Sequence, residues 1–357
     1  MRYALRDGLD IARMAAIKLP ANSMKYFIIL VAAASLLVSS MVAAAPESPL
    51  TPLQRSQAIE DIAAAFENTY VFPEVGNTVA RDLRARRDRG EYDRISASRE
   101  LAARLSRDID AICRDSHTEV AYFEEDQLAE PPNADPALAK QRAEARLARA
   151  RADNFGFAAP RRLEGNIALI RFDSFYPAAD AAPFVHQLMS GAAGADALIF
   201  DLRENGGGSP QLIAVLASYL YDDTPVHLYD QYDRRLGTRH EAWTDPGVPG
   251  ERFGSRKPVY TLTSAQTFSA AENLAYTLQK LGRAKVVGER TRGGAHGGFG
   301  RPVTSHLVPM IATRRVIHAV TKSDWDRVGV IPDLRAPAAD ALAAAVALAK
   351  KEIAATR

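Results

Sequence analysis

From Gly165 onward, short apolar runs alternate with helix-periodic stretches, and this alternation constrains the fold more than any other feature of the chain. Runs at Asn166–Phe172, Ala197–Asp201, Val259–Thr263, Lys285–Gly288 and Arg315–Thr321 read as strands. Helical stripes follow near residues 179–190, 209–221, 269–281 and 338–353. Strands that alternate with helices predict a mostly parallel sheet with helices on its faces, an α/β fold. Periodicity alone does not distinguish a Rossmann-like sheet from other members of this class.

The N-terminal half reads differently. Thr51-Pro52 is a helix start, and Ile59, Ile62, Ala63, Phe66 and Tyr70 recur at helical spacing until Pro73 stops the run. A short helix at Thr78–Arg87 and a third at Ser98–Cys113, burying Leu101, Leu105, Ile109 and Ile112, complete a helical domain over residues 50–125. A charged connector, residues 126–160, holds an Arg- and Ala-rich helix, Ala137–Arg151, whose charges read as a wet face. The α/β part then covers 161–337, and a C-terminal helix 338–357.

Upstream, Met24-Lys25 opens an apolar stretch that leaves through Ala43-Ala44-Ala45, the parts of a secretory signal over residues 1–45. Arg2, Arg6, Arg13 and Lys18 precede it, so Met24 is the alternative start; a retained segment would serve as a membrane anchor. An exported chain with the single cysteine Cys113 has no disulfide framework, which suits a bacterial periplasm or exterior. With 45 basic against 43 acidic residues, charge argues against capture of nucleic acid.

Two junctions carry chemistry. Val259–Thr263 leads into Ser264-Ala265-Gln266-Thr267-Phe268-Ser269-Ala270-Ala271-Glu272, where the helix begins. Free backbone N–H groups and the positive end of the helix dipole converge there, so Ser269 is a candidate nucleophile; a plain N-cap serine is the alternative. Ala197–Phe200 leads into Asp201-Leu202-Arg203-Glu204-Asn205-Gly206-Gly207-Gly208. Three glycines let backbone approach a ligand and aim N–H groups into a cavity, as half of an oxyanion hole; a flexible turn is the alternative. No Gly-Lys-Ser/Thr follows, so this is not a phosphate loop.

These segments, with Val286-Val287-Gly288-Glu289-Arg290-Thr291-Arg292-Gly293-Gly294 and Gly329-Val330-Ile331-Pro332-Asp333, occur in the order found in the C-terminal processing (tail-specific) proteases. From about residue 55 to about residue 337 the chain resembles that family, in its tricorn-like and interphotoreceptor-retinoid-binding-protein-like branch. The resemblance implies a crotonase/ClpP-like fold and a serine peptidase acting on a peptide or protein. Ser116-His117 matches a Ser-His pair of the branch, which implies that His117 is the general base and that Ser116 orients it. Gly294 stands where the Ser-Lys members carry their lysine. Asp326 replaces a glutamate in Trp325-Asp326-Arg327-Val328-Gly329 and is the acid expected to contact Ser116 or substrate.

The oxyanion is assigned to backbone N–H groups of Ala270 and of Gly206 or Gly207. Glu289 reads as a salt-bridge partner of the glycine loops, and His296 as part of a mobile glycine-rich loop. About 33 residues separate Glu124 from Phe157, too few for the PDZ domain of many relatives. No cofactor or metal is expected, since no HExxH or Cys/His ligand spacing occurs. The rival reading is a silent carrier of apolar ligands on the same fold. An α/β-hydrolase esterase is disfavoured by the lack of Gly-x-Ser-x-Gly, and acyl-thioester chemistry by export.

Overall fold

A computed structural model describes residues 49–128 and 136–356; the signal-like residues 1–45 lie outside the described residues. Helix α1 (Pro52–Thr69) starts from a capping box between Thr51 and Gln54. Pro73, read as a stop, also opens α2 (Pro73–Asp88), because the ring that cannot continue one helix suits the first position of the next. The second helix therefore begins five positions before Thr78, the expected start. Helix α3 (Ser98–Cys113) ends on Arg114 in the left-handed region. Ile59, Ile62, Phe66, Leu83, Leu105 and Ile109 form the buried core among these helices.

Strand β1 (Glu119–Tyr122) leaves the helical unit, and α4 (Pro136–Ala152) follows, exposed along most of its length. The α/β part runs β2 (Arg161–Leu163), β3 (Ile167–Arg171), α5 (Ala178–Ala192), β4 (Ala197–Asp201), α6 (Gln211–Ser218), β5 (His227–Asp233), β6 (Thr238–Trp243), β7 (Val259–Thr263) and α7 (Ala270–Lys280). Then come β8 (Lys285–Gly288), β9 (Gly298–Gly300), β10 (Leu307–Ala312), β11 (Arg314–His318), β12 (Leu334–Arg335) and α8 (Ala341–Thr356).

The main sheet has the order β12-β8-β7-β4-β3-β2, parallel throughout except for the edge strand β2. Its central strands β3, β4 and β7 are buried almost throughout because both faces are covered. Ile167, Leu169, Ile199, Tyr260 and Leu262 meet α8 on one side. Ala168, Ile170, Leu198 and Phe200 meet α5, α6 and α7 on the other.

Strand β11, expected beside these parallel strands, instead joins a separate antiparallel sheet in the order β11-β5-β6. Strands β1, β10 and β9 form a third sheet, so the helical unit shares backbone pairing with the α/β part. No helix among the described residues is long and apolar enough to cross a membrane.

The register that matters for chemistry is β4 against β7, with Asp201 opposite Leu262. Both strands are parallel, so the Gly206–Gly208 loop and the Ser264–Ser269 loop leave the same sheet end side by side. That is where parallel α/β sheets place their ligands.

Candidate active site

Ser269 sits at φ +56° and ψ −117°, a conformation that L residues rarely adopt. Three hydrogen bonds from backbone N–H groups hold it there. Phe268 N–H donates to Asn205 O (3.0 Å), Ser269 N–H to Glu272 Oε2 (2.9 Å), and Asn273 N–H to Ser269 O (2.9 Å). Strain of this kind on a strand-to-helix turn pushes a nucleophile out of the backbone envelope. Gly207, at φ +100°, passes so close that a Cβ there would lie 2.7 Å from Ser269 Cβ. The middle glycine is therefore required by a close approach as well as by its backbone angle.

Glu272, fully buried, organises the opposite wall. Its carboxylate accepts from Ser269 N–H, Gly293 N–H (2.6 Å), Gly294 N–H (2.9 Å) and the Thr291 hydroxyl (2.5 Å). Burial raises its pKa above the ordinary carboxylate value, while these donors pull the other way. The role expected of Glu289 thus falls to Glu272. Glu289 accepts from the backbone of Ala265 (3.2 Å) and Ala338 (3.0 Å) and forms no ion pair with the glycine loops. The sequence signal for Glu272 was its place three residues after Ser269, the spacing of a capping box.

Among the oxyanion candidates, Gly207 presents no free donor. Its N–H is bound by Asn205 Oδ1 at 2.8 Å, while Asn205 Nδ2 donates to Phe172 O at 2.8 Å. Gly206 N–H makes only a long 3.4 Å contact with Asp173 O. The N–H groups of Ala270 and Gly208 have no hydrogen-bond partner among the described residues. Ala270, Gly206, Gly208, Ser269 and His117 line one open cavity of about 270 Å³. A larger hollow of about 710 Å³, lined by Lys257, Arg283 and Lys285, lies elsewhere and contains no histidine.

His117 reaches this cavity from the turn before β1. Its N–H donates to Asp115 Oδ1 (3.0 Å), and its ring stacks on Phe268 with centroids 4.4 Å apart and planes at 23°. Desolvation pushes the imidazole pKa down to about 4, against the opposing pull of Asp115. Gly294 makes room for the ring, since a Cβ there would lie 2.7 Å from His117 Cε1. The space beside Gly294 is thus filled by the Phe268 and His117 rings.

Ser116 and Asp326 stand apart from their expected contacts. The Ser116 hydroxyl donates to Gly293 O (3.1 Å), and His117 Nδ1 is buried without a hydrogen-bond partner among the described residues, so Ser116 does not orient the His117 ring. Asp326 reaches neither Ser116 nor the cavity. Its Oδ1 accepts from Ala295 N–H at 3.3 Å and lies 3.5 Å from His296 Nδ1, and burial raises its pKa to about 6. An aspartate is one methylene shorter than a glutamate, and its reach ends on the neighbouring glycine-rich loop, at Ala295 and His296.

His296 is no part of a mobile loop; it is 4% exposed and bound to Asp115 Oδ2 at 2.9 Å. Trp325 Nε1–H also pins the glycine segment by donating to Gly294 O (3.0 Å). Asp115, His296 and Asp326 bring ligand-type atoms within 4.8 Å of one another, but as mutual hydrogen-bond and ion-pair partners.

Residues 166–336 match peptidase family S41, and residues 52–150 match the N-terminal domain of peptidase S41 in eukaryotic IRBP. The carboxyl-terminal-processing protease of Synechocystis sp. (strain ATCC 27184 / PCC 6803 / Kazusa) is 30% identical over 177 residues, covering 47% of this chain. The match spans only 37% of that relative's length. A lipoprotein from Streptococcus agalactiae superposes with a TM-score of 0.53 at 16% identity, over 85% of this chain and 98% of its own. The tricorn protease does so with a TM-score of 0.53 at 13% identity, over 85% of this chain and 37% of its own. At such identities the likeness is one of fold.

Proposed function

The chain belongs to peptidase family S41, a family of serine peptidases, and we propose that it cleaves peptide bonds by acyl transfer through Ser269 and His117. The observation that carries the reading is the strained Ser269, set in one cavity with a neutral His117 and the unbonded N–H of Ala270. His117 takes the hydroxyl proton as Ser269 Oγ attacks the scissile carbonyl carbon. The oxyanion of the tetrahedral intermediate faces Ala270 N–H and the glycine loop, through Gly206 or Gly208 in place of Gly207. Collapse expels the amine, which receives the proton from His117. Water, deprotonated in turn by His117, attacks the acyl carbon; the bond from that carbon to Ser269 Oγ breaks, and His117 returns the proton to Oγ.

The depressed pKa of His117 suits a base, because the imidazole stays unprotonated at neutral pH. Desolvation sharpens the effect of every donor that faces the reacting carbonyl. The proposal extends to organisation and place. Residues 50–125 form a helical domain, 126–160 a connector, 161–337 the catalytic domain and 338–357 a C-terminal helix. Residues 1–45 direct export to a periplasm or exterior, with cleavage after Ala45. Substrates are peptides or proteins.

Labelling by a fluorophosphonate probe tests the mechanism directly. The native protein should label at Ser269, Ser269→Ala should not label, and His117→Ala should label at least a hundredfold more slowly, as loss of a general base requires. A native protein that does not label is a carrier on a peptidase fold. One whose labelling survives His117→Ala uses another base.

A further inference from the structure

Below the His117 turn lies a buried polar clasp that the reaction just described does not use. Asp115 is 2% exposed and His296 4%. Asp115 Oδ1 accepts from His117 N–H at 3.0 Å. Its Oδ2 accepts from the Tyr70 hydroxyl at 3.1 Å and meets His296 Nδ1 at 2.9 Å. Asp326 Oδ1 stands 3.5 Å from the same nitrogen, and Asp324 Oδ2 stands 3.5 Å from His296 Nε2. Edge-on packing against Phe72, with centroids 5.1 Å apart at 74°, closes the remaining side. Residues from the end of α1, the turn before β1, the loop before β9 and the turn before β12 therefore meet at one imidazole.

Such a ring carries a proton. Burial opposes the charge, but the bond to Asp115 and the nearby carboxylates of Asp115, Asp324 and Asp326 outweigh it and raise the pKa to about 10. Arg315, whose guanidinium lies 5.4 Å from the Phe72 ring centroid, is the further cation near Asp324. The charged groups that act on His117 are Asp115, which favours its protonation, and His296 and Arg292, which oppose it. The carboxylate that holds the His117 backbone is thus matched by a buried cation bonded to its other oxygen.

We infer that Asp115 and His296 are the positioning pair of the catalytic base: they fasten the His117 turn to the glycine loop and balance the field at its imidazole. The inference rests on His117 being the base. Fastening matters because His117 precedes β1 in the N-terminal part whereas Ser269 heads α7, so nothing local in the sequence sets their alignment. Balance matters because an unmatched carboxylate beside the turn would favour the protonated, inactive ring. A buried ion pair is poor evidence for stability, since apolar residues of similar volume often stabilise as well. A role toward the base therefore has to be read from the base.

The rate at which Ser269 is labelled by a fluorophosphonate, followed against pH in the full-length protein, reads it without a known substrate. His296→Gln should label at least tenfold more slowly, and its acid limb should move upward by about half a pH unit or more, because Asp115 loses its counter-charge. Asp115→Asn should also slow labelling at least tenfold, but with no upward move, since the carboxylate itself is gone. A folded His296→Gln protein with an unmoved limb and a rate within threefold of native overturns the inference. Should His296→Gln fail to fold by circular dichroism, Asp115→Asn decides, and labelling at the native rate overturns it. His117→Ala keeps the two readings apart. If that variant labels normally the Ser-His reading falls; if it is silent while His296→Gln is unaffected, only the positioning role falls.

Discussion

Ser269 and His117 hold their unusual states for separate reasons. At φ +56° and ψ −117°, Ser269 stores strain on the order of 1–3 kcal/mol, which glycine would relieve at a smaller entropic cost. Ser269→Gly should therefore be inactive yet about 1 kcal/mol more stable than Ser269→Ala in urea unfolding. Equal stability of the two variants would show an unstrained backbone. His117 owes its low pKa to desolvation, and the proposed role as base requires it unprotonated. The acid limb of kcat/KM should accordingly fall near about 4, well below the ordinary histidine value of 6.5. A limb at 6 to 7.5, roughly the range of an unperturbed histidine, would mean that His117 is solvated or is not the base.

The elements around them are joined by one carboxylate and one missing side chain. Glu272 ties the first turn of α7 to Thr291, Gly293 and Gly294 through four donors. Glu272→Ala would strand those donors in a dry interior, at about 3 kcal/mol or more. Thermal unfolding should show a large loss, with Glu272→Gln intermediate; a loss under 1 kcal/mol would mean that water enters and satisfies the donors. Gly294 lets His117 lie on Phe268. Gly294→Ala should lower turnover at least a hundredfold, since even a methyl group enters the space of both rings. Gly294→Lys should not rescue a Ser-Lys mechanism, because it evicts the histidine. Full activity in either variant would show that the stacked ring is not the working position.

Across the whole molecule, the His296 clasp links helical unit and sheet through charge. With its pKa raised to about 10, His296 binds its proton more tightly folded than unfolded. Its stabilising contribution is thus fully present below about 6.5 and is lost as pH rises toward 10. Melting temperature should fall between pH 7 and 9 in the native protein and fall less steeply in His296→Gln. Parallel curves would show that the ring is neutral in the fold.

Much of this was legible along the chain. Uniformly apolar strands announce a sheet covered on both faces, and the five expected strands lie within two residues of the observed ones at either end, apart from the late end of the last. Ser269, Ala270 and the glycine loop were readable because a strand, a polar loop and a helix lie in one short stretch. The helical unit was readable from its 3.6-residue stripe and proline punctuation. What remained hidden depends on contacts between distant segments. That Gly207 spends its N–H on Asn205, that Ser116 turns to Gly293, and that Asp326 stops at Ala295 are outcomes of loop packing, which no periodicity encodes. His296 read as a mobile loop because glycines surround it. Only the fold brings Asp115, 181 residues away, to the ring, and the burial that results turns a flexible-looking segment into the fixed support of the His117 turn.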